Sequence, residues 1–366
     1  MTYQTKLGIK MILSGGDGAR ICLHARPTVA AFVDGGWELA HEFAADKPLC
    51  IGRVTENFFD PNRPEFNQQS PEAVARWYVE TYLAETIRAQ PQMDAWESNN
   101  EPVITDLGVM NWHARFLAEF ARILRVEFNR TAVIGNWSVG NPDYPMWAQY
   151  GPALEATLRY RALLGRHNYA GRDPNTWPFL LLRHRADNQR FSAMGYPNLP
   201  VVLTECGADG VPSFRVQNPA TQEWYDSEPG ASWRDLYGDD GARYWNEILL
   251  PLEQELRSDP YVIGGTVFNS GYNWGRHNID GTAIAQLWID YAMSAPPIGD
   301  AETPPPAPEF PYLARVGGLL GRNLRNAPGG DVVGLAYRGG LITIVGQDGP
   351  WLETRLRIHE SGVTRL

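Results

Sequence analysis

The stretch Val201-Val202-Leu203-Thr204-Glu205-Cys206-Gly207 reads as a buried strand that ends on an acid. Four consecutive apolar or β-branched residues lead into Glu205, the pattern of a strand covered on both faces. A carboxylate after such a run is costly unless it reaches a polar site. Working outward, seven further segments read as strands, most of them short continuous apolar runs: Leu7–Leu13, Val29–Asp34, Leu49–Thr55, Met93–Ser98, Ala132–Trp137, Leu163–Tyr169 and Val262–Asn269. With Pro200–Glu205 they make eight predicted strands. Helical patterns separate several of them. Ser70-Pro71 offers an N-cap and a proline at the first helical position, and Val74, Trp77, Tyr78 and Tyr82 then recur on a helical face. Trp112, Phe116, Phe120, Ile123 and Leu124 do the same, and a third pattern spans Asp239–Leu256. Strand alternating with helix predicts an α/β fold with a parallel sheet. Eight such units within residues 1–295 predict a closed (β/α)8 TIM barrel rather than an open sheet. No internal repeat is visible.

The chain has 366 residues, enough for that barrel and a small module beyond it. Ala295–Pro311 holds seven prolines and predicts a semi-rigid, extended linker. After it, Val332–Ala336, Leu341–Val345 and Trp351–Arg355 read as short strands separated by glycine-containing breaks. The expected organisation is a barrel over 1–295, a linker over 296–311 and a small all-β domain over 312–366.

Composition narrows the function. Hydrophobic residues are 43% and charged residues 20% of the chain, too apolar for a disordered one. A net charge of −10 argues against a nucleic-acid partner, which calls for a basic face. No run approaches the ~18 apolar residues of a membrane span. The opening MTYQTKLGIKMIL lacks an apolar signal region, so a soluble chain is expected, with export open only to a longer parent chain. Cys22, Cys50 and Cys206 are too few and too scattered for a disulfide framework or structural zinc. Ser14-Gly15-Gly16-Asp17-Gly18 does not match a dinucleotide fingerprint, and Walker, H-E-x-x-H and G-x-S-x-G patterns are missing. Neither a metal nor a cofactor is predicted. The 13 Trp and 16 Tyr fill a core or line a groove for a flat, polar ligand such as a sugar.

What remains is a pair of acids at strand ends. Glu101 lies in Trp96-Glu97-Ser98-Asn99-Asn100-Glu101-Pro102, after the fourth strand, and Glu205 closes the seventh. In a barrel both open on the C-terminal face, where catalytic groups collect. Glycosidic hydrolysis needs such a pair: one acid protonates the leaving oxygen, and a carboxylate stands opposite. The plainer reading makes each Glu an ordinary strand-end acid. Two acids converging on one face weigh against it.

With Asn100-Glu101-Pro102 on strand four and Glu205 on strand seven, 104 residues apart, the chain resembles glycoside hydrolase clan A, the retaining (β/α)8 glycosidases. The resemblance covers residues 1 to about 295. It implies that Glu101 is the general acid/base, Glu205 the nucleophile and Asn100 a ligand of the sugar 2-hydroxyl. His167 and Tyr169, ending strand six, correspond to the clan's aromatic or His near the nucleophile, and a Tyr169 hydroxyl donating to Glu205 would keep it ionised. The clan's strand-eight Trp has no counterpart: Phe268-Asn269 stands there and Trp274 follows. Arg53 on strand three is an expected partner of Glu205. Trp37, Trp137, Trp147, Trp177, Trp224, Trp233 and Trp274 sit in loops or at strand ends, where most such rings are packing. Trp137 and Trp274 are the expected sugar stackers. The long segment Gly207–Asp240 is expected to wall a substrate groove.

The C-terminal segment resembles a bacterial SH3-type domain. Asn323–Gly329 is similar to that family's opening motif, Gly339–Gly346 to its central strand element and Trp351 to a later strand. The family's closing Gly-Trp strand is absent, so an incomplete SH3-like barrel is expected, with a cell-wall or protein ligand or none. Three functions stand at this point. The first is a retaining O-glycosidase acting on a β-linked oligo- or polysaccharide. The second is a carbohydrate-binding barrel without turnover. The third is a peptidoglycan hydrolase of the lysozyme kind. Such barrels use an Asp-x-Glu pair, where this chain carries Trp96-Glu97-Ser98-Asn99.

Overall fold

Each of the eight apolar runs forms a strand. In the computed structural model these are β1 (Leu7–Ile12), β2 (Val29–Val33), β3 (Leu49–Arg53), β4 (Ala95–Glu97), β5 (Thr131–Trp137), β6 (Leu163–Ala170), β7 (Val201–Ala208) and β8 (Val262–Ser270). The structure describes residues 3–12, 16–43, 47–56, 59–104, 106–209, 232–271 and 276–298. It also describes the backbone of short strands at 215–217, 224–226, 312–315, 322–325, 332–336, 341–348 and 351–355. Each barrel strand pairs in parallel with the next, and β8 pairs with β1, so the sheet closes. Helices follow the strands, which makes this a (β/α)8 barrel. The helix predicted from Ser70-Pro71 starts there, with the Ser70 side chain accepting from the Ala73 amide and Pro71 in the first turn. The Trp112–Leu124 pattern becomes Leu107–Glu127, capped by Asp106.

The barrel interior explains where polar chemistry can sit. Val29, Ala31, Ile51, Ala95, Val133, Leu163 and Val202 form one buried apolar cluster. Side chains two apart on a strand share a face. Arg53 therefore stands one step above Ile51, and Glu97 one step above Ala95, toward the C-terminal mouth. Lys10 is in register with Ala31, and its long side chain climbs to the same polar layer. The seam between β1 and β8 is clasped at this end. The Asp280 carboxylate accepts from the Asp17 amide, the Ser270 hydroxyl and the Gly271 amide at 2.6–2.9 Å. Gly16, at φ +50°, has to be glycine, because a Cβ there would run into that carboxylate.

The chain divides into two compact units, Met1–Phe191 with Tyr196–Ala301, and Ser192–Gly195 with Glu302–Leu366. In the second unit Tyr312–Arg315, Leu341–Asp348 and Trp351–Arg355 form an antiparallel sheet, and Arg322–Arg325 pairs with Val332–Ala336. Most of the Pro-rich stretch lies outside the described residues. Of the expected groove wall, the paired strands Arg215–Gln217 and Trp224–Asp226 and the helix Trp233–Tyr237 are described. No helix among the described residues is long and apolar enough to cross a membrane.

Candidate active site

At the C-terminal mouth the acid at the end of the buried run meets its partners. Glu205 Oε1 accepts from Lys10 Nζ at 3.0 Å and from Arg53 Nη1 at 2.9 Å. Its Oε2 accepts from the Tyr169 hydroxyl at 2.8 Å and lies 3.3 Å from His167 Nδ1. Burial alone would raise the pKa of Glu205. The charges of His167, Lys10 and Arg53 overcome that and hold the carboxyl well below the usual range. The Tyr169 phenol moves the other way: burial, then the charges of Glu205 and Glu101, push it up, so it stays a donor.

Glu101 sits across from this group. His167 Nδ1 stands 2.8 Å from Glu101 Oε1, so one imidazole nitrogen bridges the two acids. One oxygen of each carboxylate and the His167 nitrogen all lie within 4.8 Å of one another. The two acids live in different surroundings: the Glu205 side chain is 9% exposed and that of Glu101 41%. Glu101 adopts φ +42°, left-handed backbone that a non-glycine residue takes at a cost of about 1–3 kcal/mol. The surroundings fix it there. The Glu101 amide donates to the Asn136 carbonyl, and the Asn100 amide donates to Glu56 Oε1 at 2.8 Å. Beneath them His113 Nε2 meets Asn99 Oδ1 at 3.1 Å. Burial pushes His113 down to about 3, so it is a neutral structural donor.

Glu101, His167 and Glu205 also form a set that could surround a metal ion. The occupied state of Glu205 speaks against that reading. Two fixed cations hold one of its oxygens and a hydroxyl holds the other, so a metal would face Lys10 and Arg53 at close range.

Of the residues expected from sequence, Glu101, Glu205, His167, Tyr169 and Arg53 converge here, and Asn100 adjoins Glu101. Trp274 lies outside the described residues. Trp137 does not line the mouth. It is 1% exposed, donates to the Tyr150 hydroxyl and packs edge-on against His113, Trp147 and Tyr150. The cause is local. Gly135 and Asn136, at φ +104° and +42°, break the strand alternation and turn the ring under the surrounding helices. Trp147 and Trp233 are packing rings too, whereas Trp37 and Trp177 are part-exposed. Trp137→Ala should therefore cost about 3–5 kcal/mol of stability. Thermal unfolding checks this; an unchanged melting temperature with a raised KM would return the ring to a sugar-stacking role.

Sequence reasoning missed Lys10, Glu97 and Asp209. Lys10 and Glu97 have fully buried side chains and pair at 3.2 Å. The signal was present: each charge interrupts a short apolar strand. Asp209 follows β7. Burial, then Glu101 and Glu205, push its carboxyl up to about 7.

No protein-family model matches the chain, and no curated protein sequence does. Solved structures do resemble it. An endo-1,4-β-D-mannanase from Thermotoga petrophila is 12% identical, covering 79% of this chain and 99% of its own, with a TM-score of 0.43. A glucosidase from Croceicoccus marinus is 12% identical over 80% of this chain and 68% of its own, with a TM-score of 0.45. An endo-β-1,4-glucanase from Xanthomonas axonopodis pv. citri is 13% identical over 79% of this chain and 99% of its own, with a TM-score of 0.46. Likeness at this level carries no argument about function, and the barrel stands on its own strand pairing.

Proposed function

We propose that the barrel, residues 1–295, is a retaining glycoside hydrolase acting on a β-linked glycan, with Glu101 as general acid/base and Glu205 as nucleophile. One observation carries the reading. Two carboxylates stand within 4.8 Å at one mouth, in unlike surroundings. Retaining enzymes hold their acids about 5–5.5 Å apart, and inverting enzymes leave about 6.5–9.5 Å for a water. Unlike environments are also what two carboxyls with opposite tasks require.

In the first step Glu101 gives its proton to the leaving oxygen while Glu205 bonds to the anomeric carbon. In the second, Glu101 takes a proton from water as the water displaces Glu205. Tyr169 and Arg53 hold the nucleophile ionised and aimed between turnovers. His167 ties the acid/base to the nucleophile, so the two cannot drift apart. Asn100 is assigned to the sugar on sequence resemblance, and Trp274 on its position in the sequence after the eighth strand. Residues 312–366 are assigned, on the same ground, to an SH3-like module taking a cell-wall or protein ligand across the 296–311 linker.

The test is a panel of aryl β-glycosides and β-linked polysaccharides, with the anomer of the first-formed product followed by NMR. Release of the β-anomer is the expected result. Release of the α-anomer would exclude double displacement, and a glycan that binds without turnover would make this a binding protein.

A further inference from the structure

Lys10 is the unusual member of the site. Its backbone lies at the level of the apolar cluster, and its 0% exposed side chain climbs from β1 across the barrel to the polar layer. Nζ meets Glu97 at 3.2 and 3.4 Å and Glu205 at 3.0 Å, so it links β1, β4 and β7. A buried ammonium is costly unless paired, and losing its only partner would strand it.

The glycosidase reading creates that danger. When the Glu205–sugar bond forms, the bond from the anomeric carbon to the leaving oxygen breaks and the proton of Glu101 goes to that oxygen. Glu205 is then a neutral ester, and its two cations lose one anion between them. Glu97 is 0% exposed and meets Lys10 Nζ at 3.2 Å, and the reaction makes and breaks no bond to it, so this contact outlasts the loss of charge at Glu205. Arg53 has its own remaining acids, feeling Glu97, Glu56 and Glu101 besides Glu205.

We propose that Lys10 is a positioning residue that fixes the orientation of Glu205, and that Glu97 is its standing counter-ion, which lets Glu205 lose and regain its charge without stranding a buried cation. The inference rests on the retaining glycosidase reading. Oε1 takes both cations and is the anchored oxygen, which fixes the plane of the carboxylate and the direction of Oε2.

The test uses the full chain, with Lys10→Met, Glu97→Gln, the double variant Lys10→Met/Glu97→Gln, and Lys10→Arg as the conservative replacement. Carbon-13 titration of the Glu205 carboxyl needs no turnover. The charged and titratable groups around Glu205 are Lys10, Arg53, Glu97, Glu101, His167, Tyr169, Cys206 and Asp209. Removing Lys10 takes away a positive charge that favours the ionised form, so the Glu205 titration should move up by about 1–3 pH units. The acid limb of kcat/KM should move with it.

Lys10→Met alone leaves Glu97 unpaired and should melt early. The double variant should regain stability and keep the shifted limb, which a merely structural lysine would not produce. Glu97→Gln should leave Glu205 ionised but lower kcat on the order of 10–100-fold, because each intermediate now strands Lys10. Lys10→Arg should recover part of both effects. An unshifted Glu205 titration in the double variant, or a wild-type kcat in Glu97→Gln, would overturn the proposal. Failure of the wild type to turn over any β-glycoside would instead overturn the glycosidase reading, and the titration would still decide whether Lys10 governs Glu205.

Discussion

Glu205→Ala should lose roughly 10⁴–10⁶-fold in kcat on aryl β-glycosides, and azide should restore part of it as an α-glycosyl azide. The site makes the second half of this result specific. Removing the carboxylate leaves Lys10 and Arg53 facing the vacated volume, at positions that were 3.0 and 2.9 Å from Glu205 Oε1. A small anion is drawn to that space by both cations. It attacks from the face Glu205 occupied, so a β-glycoside yields the α-azide, while Glu101 still protonates the leaving group. Glu205→Gln retains the shape, fills the space and should not be rescued. Lys10 keeps Glu97 and Arg53 keeps its other acids in this variant, so it should fold, and thermal unfolding at the assay temperature checks that. A β-azide product, or near wild-type turnover without azide, would remove Glu205 from the nucleophile's role.

The barrel was legible because parallel strands buried on both faces leave an unbroken apolar signature. β6 and β7 run on past the predicted ends at Tyr169 and Glu205, to Ala170 and Ala208, because the two strands keep pairing there, Tyr169 with Gly207 and Ala170 with Ala208. β4 shrinks to Ala95–Glu97 for the opposite reason: the chain turns after Glu97 to bring Glu101 over in left-handed backbone. No composition rule predicts that turn, because it depends on Asn136 of β5 accepting the Glu101 amide.

The candidate site was legible where a residue stands at a predicted strand end and not where it acts through a partner. Glu205 and Glu101 were singled out by such positions, and the structure brings them to one mouth. Arg53 and Tyr169 were expected beside Glu205, and both donate to it. Lys10 escaped because a lysine inside Gly8-Ile9-Lys10-Met11-Ile12 looks like a break in an apolar run until a partner three strands away is known. Trp137 shows the converse. A ring at a strand end suggests a binding face, but side-chain alternation assumes regular backbone, and two positive-φ residues before it cancel that assumption.

Glu101→Ala should separate substrates by their leaving groups. A dinitrophenyl glycoside departs without a proton, so its first step should be nearly unaffected. A methyl glycoside or an oligosaccharide needs the acid and should slow by about 10²–10⁴-fold. The second step loses its base with either substrate, so the glycosyl-enzyme should accumulate, giving a burst and a lowered apparent KM on the dinitrophenyl substrate. Azide attacks that intermediate on the face Glu101 vacates and should give the β-azide, opposite in anomer to the Glu205→Ala product. The alkaline limb of the pH profile needs one further comparison, because Asp209 titrates at about 7 near the same two acids. Its carboxyl is raised by burial and by the negative charges of Glu101 and Glu205, so Glu101→Ala should lower it, extending its charged form to lower pH. A limb that disappears in Glu101→Ala and survives in Asp209→Asn belongs to the acid. The reverse pattern would assign it to Asp209. Equal losses for good and poor leaving groups would mean that Glu101 donates no proton to the leaving oxygen, and the bridge through His167 would then be only a structural tie.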